Sequence, residues 1–263
     1  MTKQLLIDAD FTLFQACSAV ERETVFENEA GQAVHVLNCA FDEALDTFNR
    51  TVRGYMADLY ATEAVLVFSG PNNFRKELWD GYKANRKSVR KPLAYWAIID
   101  HLRAGDDYRV VSEDCLEGDD YIGILATRPS SVDRVIVSDD KDMQTLPNVK
   151  LFRMGKLMQT TTDSAEDYWL LQTLMGDSTD GYKGCPGMGE ITAKKVLAKP
   201  GDPWANVVAA YEEAFRKDKD PEHPKFLGRT PEELAVLNAR LARILRHTDW
   251  DGQKRRPILW TPE

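Results

Sequence analysis

The chain has 263 residues, with 34 Lys and Arg against 42 Asp and Glu, a formal net charge of −8. Its 43% hydrophobic content can fill the core of one large α/β domain, and its longest apolar runs are of strand length, which excludes a membrane-spanning helix. Four scattered cysteines (Cys17, Cys39, Cys115 and Cys185) without CxxC spacing exclude a cysteine-rich zinc module and fit reduced thiols.

Gln4-Leu5-Leu6-Ile7 reads as a buried strand that ends in Asp8-Ala9-Asp10. With no signal peptide in the way, a cytoplasmic protein is expected. Phe11 to Glu23 reads as helix, and Gly31 to Val36 as a short strand or loop. Apolar residues at helical spacing (Phe41, Leu45, Phe48, Val52, Tyr55, Met56 and Leu59) predict a long amphipathic helix from Asn38 to Tyr60. Ala64 to Phe68 is a second buried strand, closed by the turn Ser69-Gly70-Pro71-Asn72-Asn73.

From Phe74 to Lys91 the balance reverses. Arg75, Lys76, Lys83, Arg86, Lys87, Arg90 and Lys91 face only Glu77 and Asp80, with Phe74, Trp79 and Tyr82 interleaved. Such cations meet phosphates and such aromatics offer a platform to bases or sugars. The competing reading is a solvated surface loop. With so few acids nearby, Lys83 is expected to have no local ion-pair partner and to be unburied. Pro92 then opens a helix over Leu93 to Leu102.

Tyr108 to Val111 is a third strand, followed by Glu113-Asp114-Cys115-Leu116-Glu117-Gly118-Asp119-Asp120 and a helix from Gly118 to Thr127. Arg134 to Val137 is a buried strand running directly into Ser138-Asp139-Asp140-Lys141-Asp142. Residues 149–153 and 155–161 read as two short strands, and Asp163-Ser164-Ala165-Glu166 as a capping box for a helix ending at Met175. Strand–helix alternation predicts an α/β fold with a mainly parallel sheet and helices on both faces. Beyond Gly176 a glycine-rich turn opens a helix. Further helices are expected over Trp204 to Lys217 and Glu232 to Arg246, a loop over 218–230, and a last strand over Arg255 to Trp260. The expected division is a core over residues 1–175, holding the basic segment at about 71–105, and a helical region over 176–263 packed on it.

Nine carboxylates fall at strand ends or helix starts: Asp8, Asp10, Glu117, Asp119, Asp120, Asp140, Asp142, Asp177 and Asp180. Two carboxylates about 4 Å apart repel by about 4 kcal/mol at an effective dielectric near 20. Such a cluster persists either as a solvated surface or around cations. An oxygen-only donor set suits Mg²⁺ or Mn²⁺, and no Cys/His set has zinc spacing. His35, His101, His223 and His247 stand apart and read as structural. Gly184-Cys185-Pro186-Gly187-Met188-Gly189 opens a helix as a backbone device for a phosphate, extended by Thr192, Lys194 and Lys195. A plain helix–helix turn is its structural alternative. A carboxylate pocket facing a basic segment suits metal-assisted phosphodiester hydrolysis.

These motifs, in this order, resemble the 5′-nuclease (flap endonuclease-like) superfamily, closest to the 5′→3′ exonucleases of short-tailed phages. The resemblance covers roughly residues 4–260 and is carried by five motifs: Ile7-Asp8; Phe74-Arg75-Lys76-Glu77-Leu78 leading to Tyr82-Lys83-Ala84-Asn85-Arg86-Lys87; Glu117-Gly118-Asp119-Asp120; Asp140-Lys141-Asp142; and Gly176-Asp177-Ser178-Thr179-Asp180-Gly181 before the loop 184–189. It implies Asp8, Glu117, Asp119 and Asp120 at a first metal, and Asp140, Asp142, Asp177 and Asp180 at a second. Lys83 and Arg86 would contact the scissile phosphate at the base of a helical arch. A helix–three-turn–helix loop at 184–189 would hold duplex DNA, with a K⁺ ion bridging loop carbonyls and a phosphate. The implied substrate is duplex DNA with a 5′ end or flap, or an RNA–DNA hybrid, and the implied state is a monomer.

One departure is Phe68-Ser69-Gly70, where the family has Asp after the strand; Asp10 is the residue placed to compensate. Two rival readings stand beside this one. Ile7-Asp8-Ala9-Asp10-Phe11-Thr12-Leu13 fits a haloacid-dehalogenase-like phosphatase, with Asp8 as nucleophile and Asp10 as general acid. A non-cleaving DNA-structure-binding protein is the other.

Overall fold

A computed structural model describes residues 2–86, 90–218, 220 and 223–262. In chain order the elements are β1 (Lys3–Asp8), α1 (Ala9–Val20), β2 (Arg22–Glu27), β3 (Ala33–Asn38), α2 (Phe41–Asp58), β4 (Glu63–Val67), α3 (Arg75–Leu78), α4 (Tyr95–Ala104), β5 (Arg109–Val111), α5 (Gly118–Thr127) and β6 (Asp133–Val137). They continue with β7 (Lys150–Arg153), β8 (Lys156–Gln159), α6 (Thr162–Met175), α7 (Glu190–Leu197), α8 (Pro203–Lys217), α9 (Pro231–Ala242), β9 (Trp250–Asp251) and β10 (Arg256–Pro257). No described helix is long and apolar enough to cross a membrane.

The main sheet has the order β5-β4-β1-β6-β7-β8. All its pairs are parallel except β7 with β8, which pair antiparallel. Its central strands β1, β4 and β6 are apolar on both faces because helices cover both, whereas the edge strand β8 is exposed. Leu5 and Ile7 of β1 join one core with α1, α2 and α4. Leu6, one residue out of phase, joins the other, with Ile122 of α5 and Leu146. This period of two fixes the register and brings the ends of β1, β4 and β6 to one edge. A third core joins α6, α7, α8 and α9 through Trp169, Leu174, Val196, Val207, Tyr211 and Leu237.

Several elements differ from expectation. The first helix starts at Ala9, because Asp8 caps it by accepting from the Phe11 N–H at 3.4 Å, and it stops at Val20. The residues after it form an exposed antiparallel hairpin of β2 with β3. Its apolar residues bury nothing, so the strand pattern was only partly visible. Pro92 does not open α4, which begins at Tyr95. The capping box of α6 is Thr161 with Ser164, the hydroxyls exchanging bonds with each other's N–H. The last helix ends at Ala242, and the final strand shrinks to β10 paired with β9. Between residues 71 and 94 the described chain holds α3 and a 3₁₀ turn over Ala84–Arg86, with no longer helix. Lys87, expected to bind DNA, lies outside the described residues.

One buried ion pair joins three parts of this fold. Arg75, only 3% exposed, forks onto Asp120 at 2.6 and 2.8 Å. Its guanidinium also donates to the carbonyls of Leu241 at 3.1 Å and Arg243 at 2.6 Å. Asp120 in turn accepts from the Leu245 N–H at 3.1 Å. Two expectations are corrected here: Asp120 is fully buried, its carboxylate taken up by Arg75 and the Leu245 N–H and not lining the groove, and Arg75 is a structural cation with no surface for DNA. The i, i+3 spacing of Glu117 and Asp120 had placed both on one side of α5, but the chain turns Glu117 outward from a non-helical cap position. Removing one partner of a buried pair leaves an uncompensated charge, which costs about 3–5 kcal/mol. Arg75→Met is therefore expected to lower unfolding free energy by about that amount in urea melts. Arg75→Met together with Asp120→Leu should recover much of it, and a loss below about 1 kcal/mol would refute this role.

Candidate active site

The carboxyl edge of the sheet opens into a groove of about 620 Å³ lined by Asp8, Asp10, Glu117, Asp119 and Asp140. Each acid is placed by local chain geometry. Asp8 ends β1 and caps α1, and it accepts from Ser138 Oγ at 2.9 Å. Asp140 follows β6 and caps the next 3₁₀ turn through the Asp142 N–H at 2.8 Å. Asp10 accepts from the Tyr95 hydroxyl at 2.5 Å and the Ser69 N–H at 2.7 Å. Ser69 Oγ accepts from the Gly118 N–H at 3.0 Å. Ser69 therefore ties the start of α5 to Asp10, which stands in the groove beside it.

The acids divide electrostatically. Burial, followed by the charges of Asp10 and Asp140, pushes Asp8 up to about 6. Burial with Asp8 and Asp140 holds Asp119 well above the usual carboxylate range. Glu117 goes the other way: burial opposes its charge, but Lys83 and Arg75 outweigh that and bring it to about 2. Asp142, Asp177 and Asp180 do not line the groove. Asp142 accepts from Gln172 at 2.5 Å and is raised to about 7 by burial and Asp140. Asp177 pairs with Lys141 at 2.8 Å. Asp180 pairs with Arg86 at 2.8 Å and accepts from the Tyr82 hydroxyl at 2.8 Å.

Lys83 departs from expectation. Its side chain is 15% exposed, and its ammonium is bonded to Glu117 and lies 3.6 Å from Asp180. Its backbone has φ of 51° and its N–H donates to the Asp180 carbonyl at 2.8 Å. The partners come from α5's cap and from the turn before α7, so no local count of charges revealed them. Tyr82 is likewise buried at 3% exposure, donating to Glu117 at 2.9 Å, and is no platform for a base. Arg86, nearly half exposed, lines the groove beside Lys83.

The turn before α7 is mixed in character. Gly184 is buried, its N–H donates to Asn238 at 3.2 Å, and a Cβ there would meet the Gly176 nitrogen at 2.3 Å. It packs the turn and does not reach a phosphate. Gly187 and Gly189 face open space, and Thr192, Lys194 and Lys195 are exposed. Lys194 pairs with Glu190. Lys76 is exposed on α3. Groove residues that sequence reading missed are Tyr95, Trp96, Phe11, Arg103 and Arg153. Nothing in the sequence marks them, since α1, α4 and β7 meet only in three dimensions.

Among the described residues, no group of three or more Asp, Glu, His or Cys side chains stands ready to hold a metal ion as the side chains are placed. The donor chemistry nonetheless fits a hard divalent cation. Every donor is a carboxylate oxygen, and Asp8, Asp119 and Asp140 repel one another in a way that a doubly charged ion relieves.

Fold and site together define an α/β enzyme of the nuclease type, with its acids at the carboxyl edge of a parallel sheet. Residues 3–169 match the model of the 5′-3′ exonuclease N-terminal resolvase-like domain. The chain is 32% identical to the exonuclease of Escherichia phage T7, across 98% of its own length and 93% of that protein's. It belongs to the 5′-3′ exonuclease family and is a nuclease, which sets the phosphatase reading aside. It is 29% identical to DNA polymerase I of Bacillus caldotenax over 93% of this chain and 28% of that one. Among solved structures, T5 5′-exonuclease with bound zinc ions superposes with a TM-score of 0.59 at 17% identity, covering 91% of this chain and 89% of that one. The T5 flap endonuclease in a pseudo-enzyme–product complex with DNA and metal ions gives 0.55 at 16% identity, covering 91% and 93%. At these identities the superpositions bear on the fold.

A carboxylate whose folded pKa is raised binds more protons folded than unfolded, so stability falls as pH rises through the window between the two values. For Asp8 and Asp142 that window runs from the ordinary value of 3.8 to about 6 and about 7. In protein stripped of divalent ions, Tm should therefore fall from about pH 4 to about pH 7. Asp142→Asn should flatten the profile. A stripped protein whose Tm rises across this range would contradict the assignment.

Proposed function

We propose that this exonuclease hydrolyses phosphodiester bonds of duplex DNA from 5′ ends, with two Mg²⁺ or Mn²⁺ ions. The carrying observation is the groove itself, where Asp8, Asp10, Glu117, Asp119 and Asp140 stand beside Lys83 and Arg86. Asp8, Asp10, Glu117, Asp119 and Asp140 would hold a first ion and share a second with Asp142, Asp177 and Asp180. When bound, the ions supply Lewis-acid charge and make water a stronger nucleophile at neutral pH. The relatives' names support a DNA substrate and divalent ions. A 5′ flap or an RNA–DNA hybrid is a further substrate within the same reading, and a monomer in the host cytoplasm is its setting.

The chain's own residues orient the substrate. Lys83 and Arg86 line the groove on one side, where their donors meet the scissile phosphate. Glu117 and Asp180 keep the Lys83 ammonium charged, because their charges outweigh its burial and raise its pKa. Tyr82 bridges Glu117 and Asp180 and so fixes both under Lys83. We take residues 1–175 as the nuclease core and 176–263 as the duplex-holding region. The exposed Gly187, Gly189, Thr192 and Lys195 around the start of α7 support the latter. The loop carbonyls at 184–189 would share a K⁺ ion with a phosphate.

Digestion of 5′-labelled and 3′-labelled duplexes with and without Mg²⁺ tests the reading. Release of label should require the metal and begin at the 5′ end; metal-independent or 3′-first release would reject it. Asp140→Asn should abolish most turnover with the fold intact. Lys83→Ala should lower the single-turnover rate by about 100- to 1,000-fold, as for loss of a donor at developing negative charge. An unchanged rate at saturating enzyme would make Lys83 a structural cation only.

Lys195 has no ion-pair partner among the described residues, whereas Lys194 is tied to Glu190. Lys195→Ala should flatten the salt dependence of duplex binding by roughly 0.9 in the log–log slope, the value for one phosphate contact. An unaltered slope would remove Lys195 from the interface.

A further inference from the structure

Helix α4 buries Tyr95, Ile98, Ile99 and Leu102 against the sheet and leaves Trp96 outside, 63% exposed. Phe11, on the first turn of α1, is 42% exposed. Single exposed apolar residues are ordinary, but these two line the same groove as the acids. Trp96 is also held. Its ring centroid lies 5.1 Å from that of Tyr95 at an interplanar angle of 88°, and the Tyr95 hydroxyl is bonded to Asp10 at 2.5 Å. A chain of contacts thus runs from a groove carboxylate through Tyr95 to an indole with most of its surface in water. Lys91 Nζ lies 4.4 Å from the Tyr95 centroid and faces the same groove, adding a cation.

We propose that Trp96, assisted by Phe11, is a substrate-positioning residue on which the 5′-terminal base stacks. The inference rests on the reading of the groove as a phosphodiesterase site and names the part of the substrate that sets its depth there. An aromatic platform accepts any base, because every base has a π-face, which suits an enzyme that must remove nucleotides one after another. Fixing the indole through Tyr95 to Asp10 holds the stacked nucleotide at a constant offset from the acids. Lys91 is then available to the phosphate of that nucleotide.

The test is a two-by-two comparison of single-turnover rates at subsaturating enzyme with Mg²⁺. The full chain and its Trp96→Ala variant each act on a duplex with a normal 5′ nucleotide and on one with an abasic 5′-terminal residue. The unaltered enzyme should cleave the normal end about 10-fold faster, within the range of one base–aromatic stack. Trp96→Ala should lose about 10-fold on the normal end and little on the abasic end. Trp96→Phe should restore most of the normal rate, and Phe11→Ala should act in the same direction as Trp96→Ala. Because Trp96 is exposed, Tm should be unchanged in the variants. Equal losses on both ends, or no loss on either, would overturn the stacking role while leaving the nuclease reading intact. Failure of the unaltered enzyme to cleave either duplex would overturn both.

Discussion

The arrangement depends on a single buried charge pair. Arg75 leaves the end of β4 by a short loop, enters the interior and meets Asp120 of α5, with the carbonyls of Leu241 and Arg243 completing its donors. The segment after α9 is held to α5 by the same carboxylate, through the Leu245 N–H. The pair contributes little net stability beyond what apolar residues would, since both charges lose their water. What it does is specify. The basic segment, the first residues of α5 and the chain leaving α9 can satisfy these groups in only one mutual position. Glu117 then projects into the groove and Lys83 lies against it.

A second constraint is the separation of charge inside the groove. Glu117 is kept ionised by Lys83 and Arg75, whereas Asp8 and Asp119 face each other and retain protons to unusually high pH. The first group is internally neutralised and rigid. The second has excess negative charge in partly dry surroundings, which is where a divalent cation has most to offer. Lys83 belongs to both: it is bonded to Glu117, yet its side chain still lines the groove. A cation already desolvated and oriented by carboxylates needs little reorganisation when a phosphate arrives.

The net charge of −8 would suggest a poor partner for DNA, but many of the acids are gathered at one edge of the sheet. In the proposed reading the duplex is carried elsewhere, and the exposed start of α7 with Gly187, Gly189 and Lys195 supports this. Gly184, in the same turn, serves packing: it meets Gly176 so closely that no side chain fits. Within one motif, then, two glycines leave backbone open to a ligand and one closes the fold behind it.

Much of this was determined by sequence alone. The β1 run Leu5-Leu6-Ile7 and the β6 run Val135-Ile136-Val137 read as buried strands from apolar content, which is a local property, and strand–helix alternation made the sheet mainly parallel, so Asp8 and Asp140 were expected at its carboxyl edge. The oxygen-only donor set and the family motifs were equally readable. What only the tertiary structure decided is which charged residues are paired. Asp120 and Glu117 look alike in sequence, and so do Arg75 and Lys76, yet Asp120 and Arg75 are buried in the ion pair while Glu117 turns to the groove and Lys76 to solvent, according to partners 34 or more positions away. The aromatic wall of Phe11, Tyr95 and Trp96 was hidden for the same reason. Partners at such separations leave no periodicity and no local charge balance to read; they are chosen when helices close over the sheet and every desolvated polar group has to find a mate.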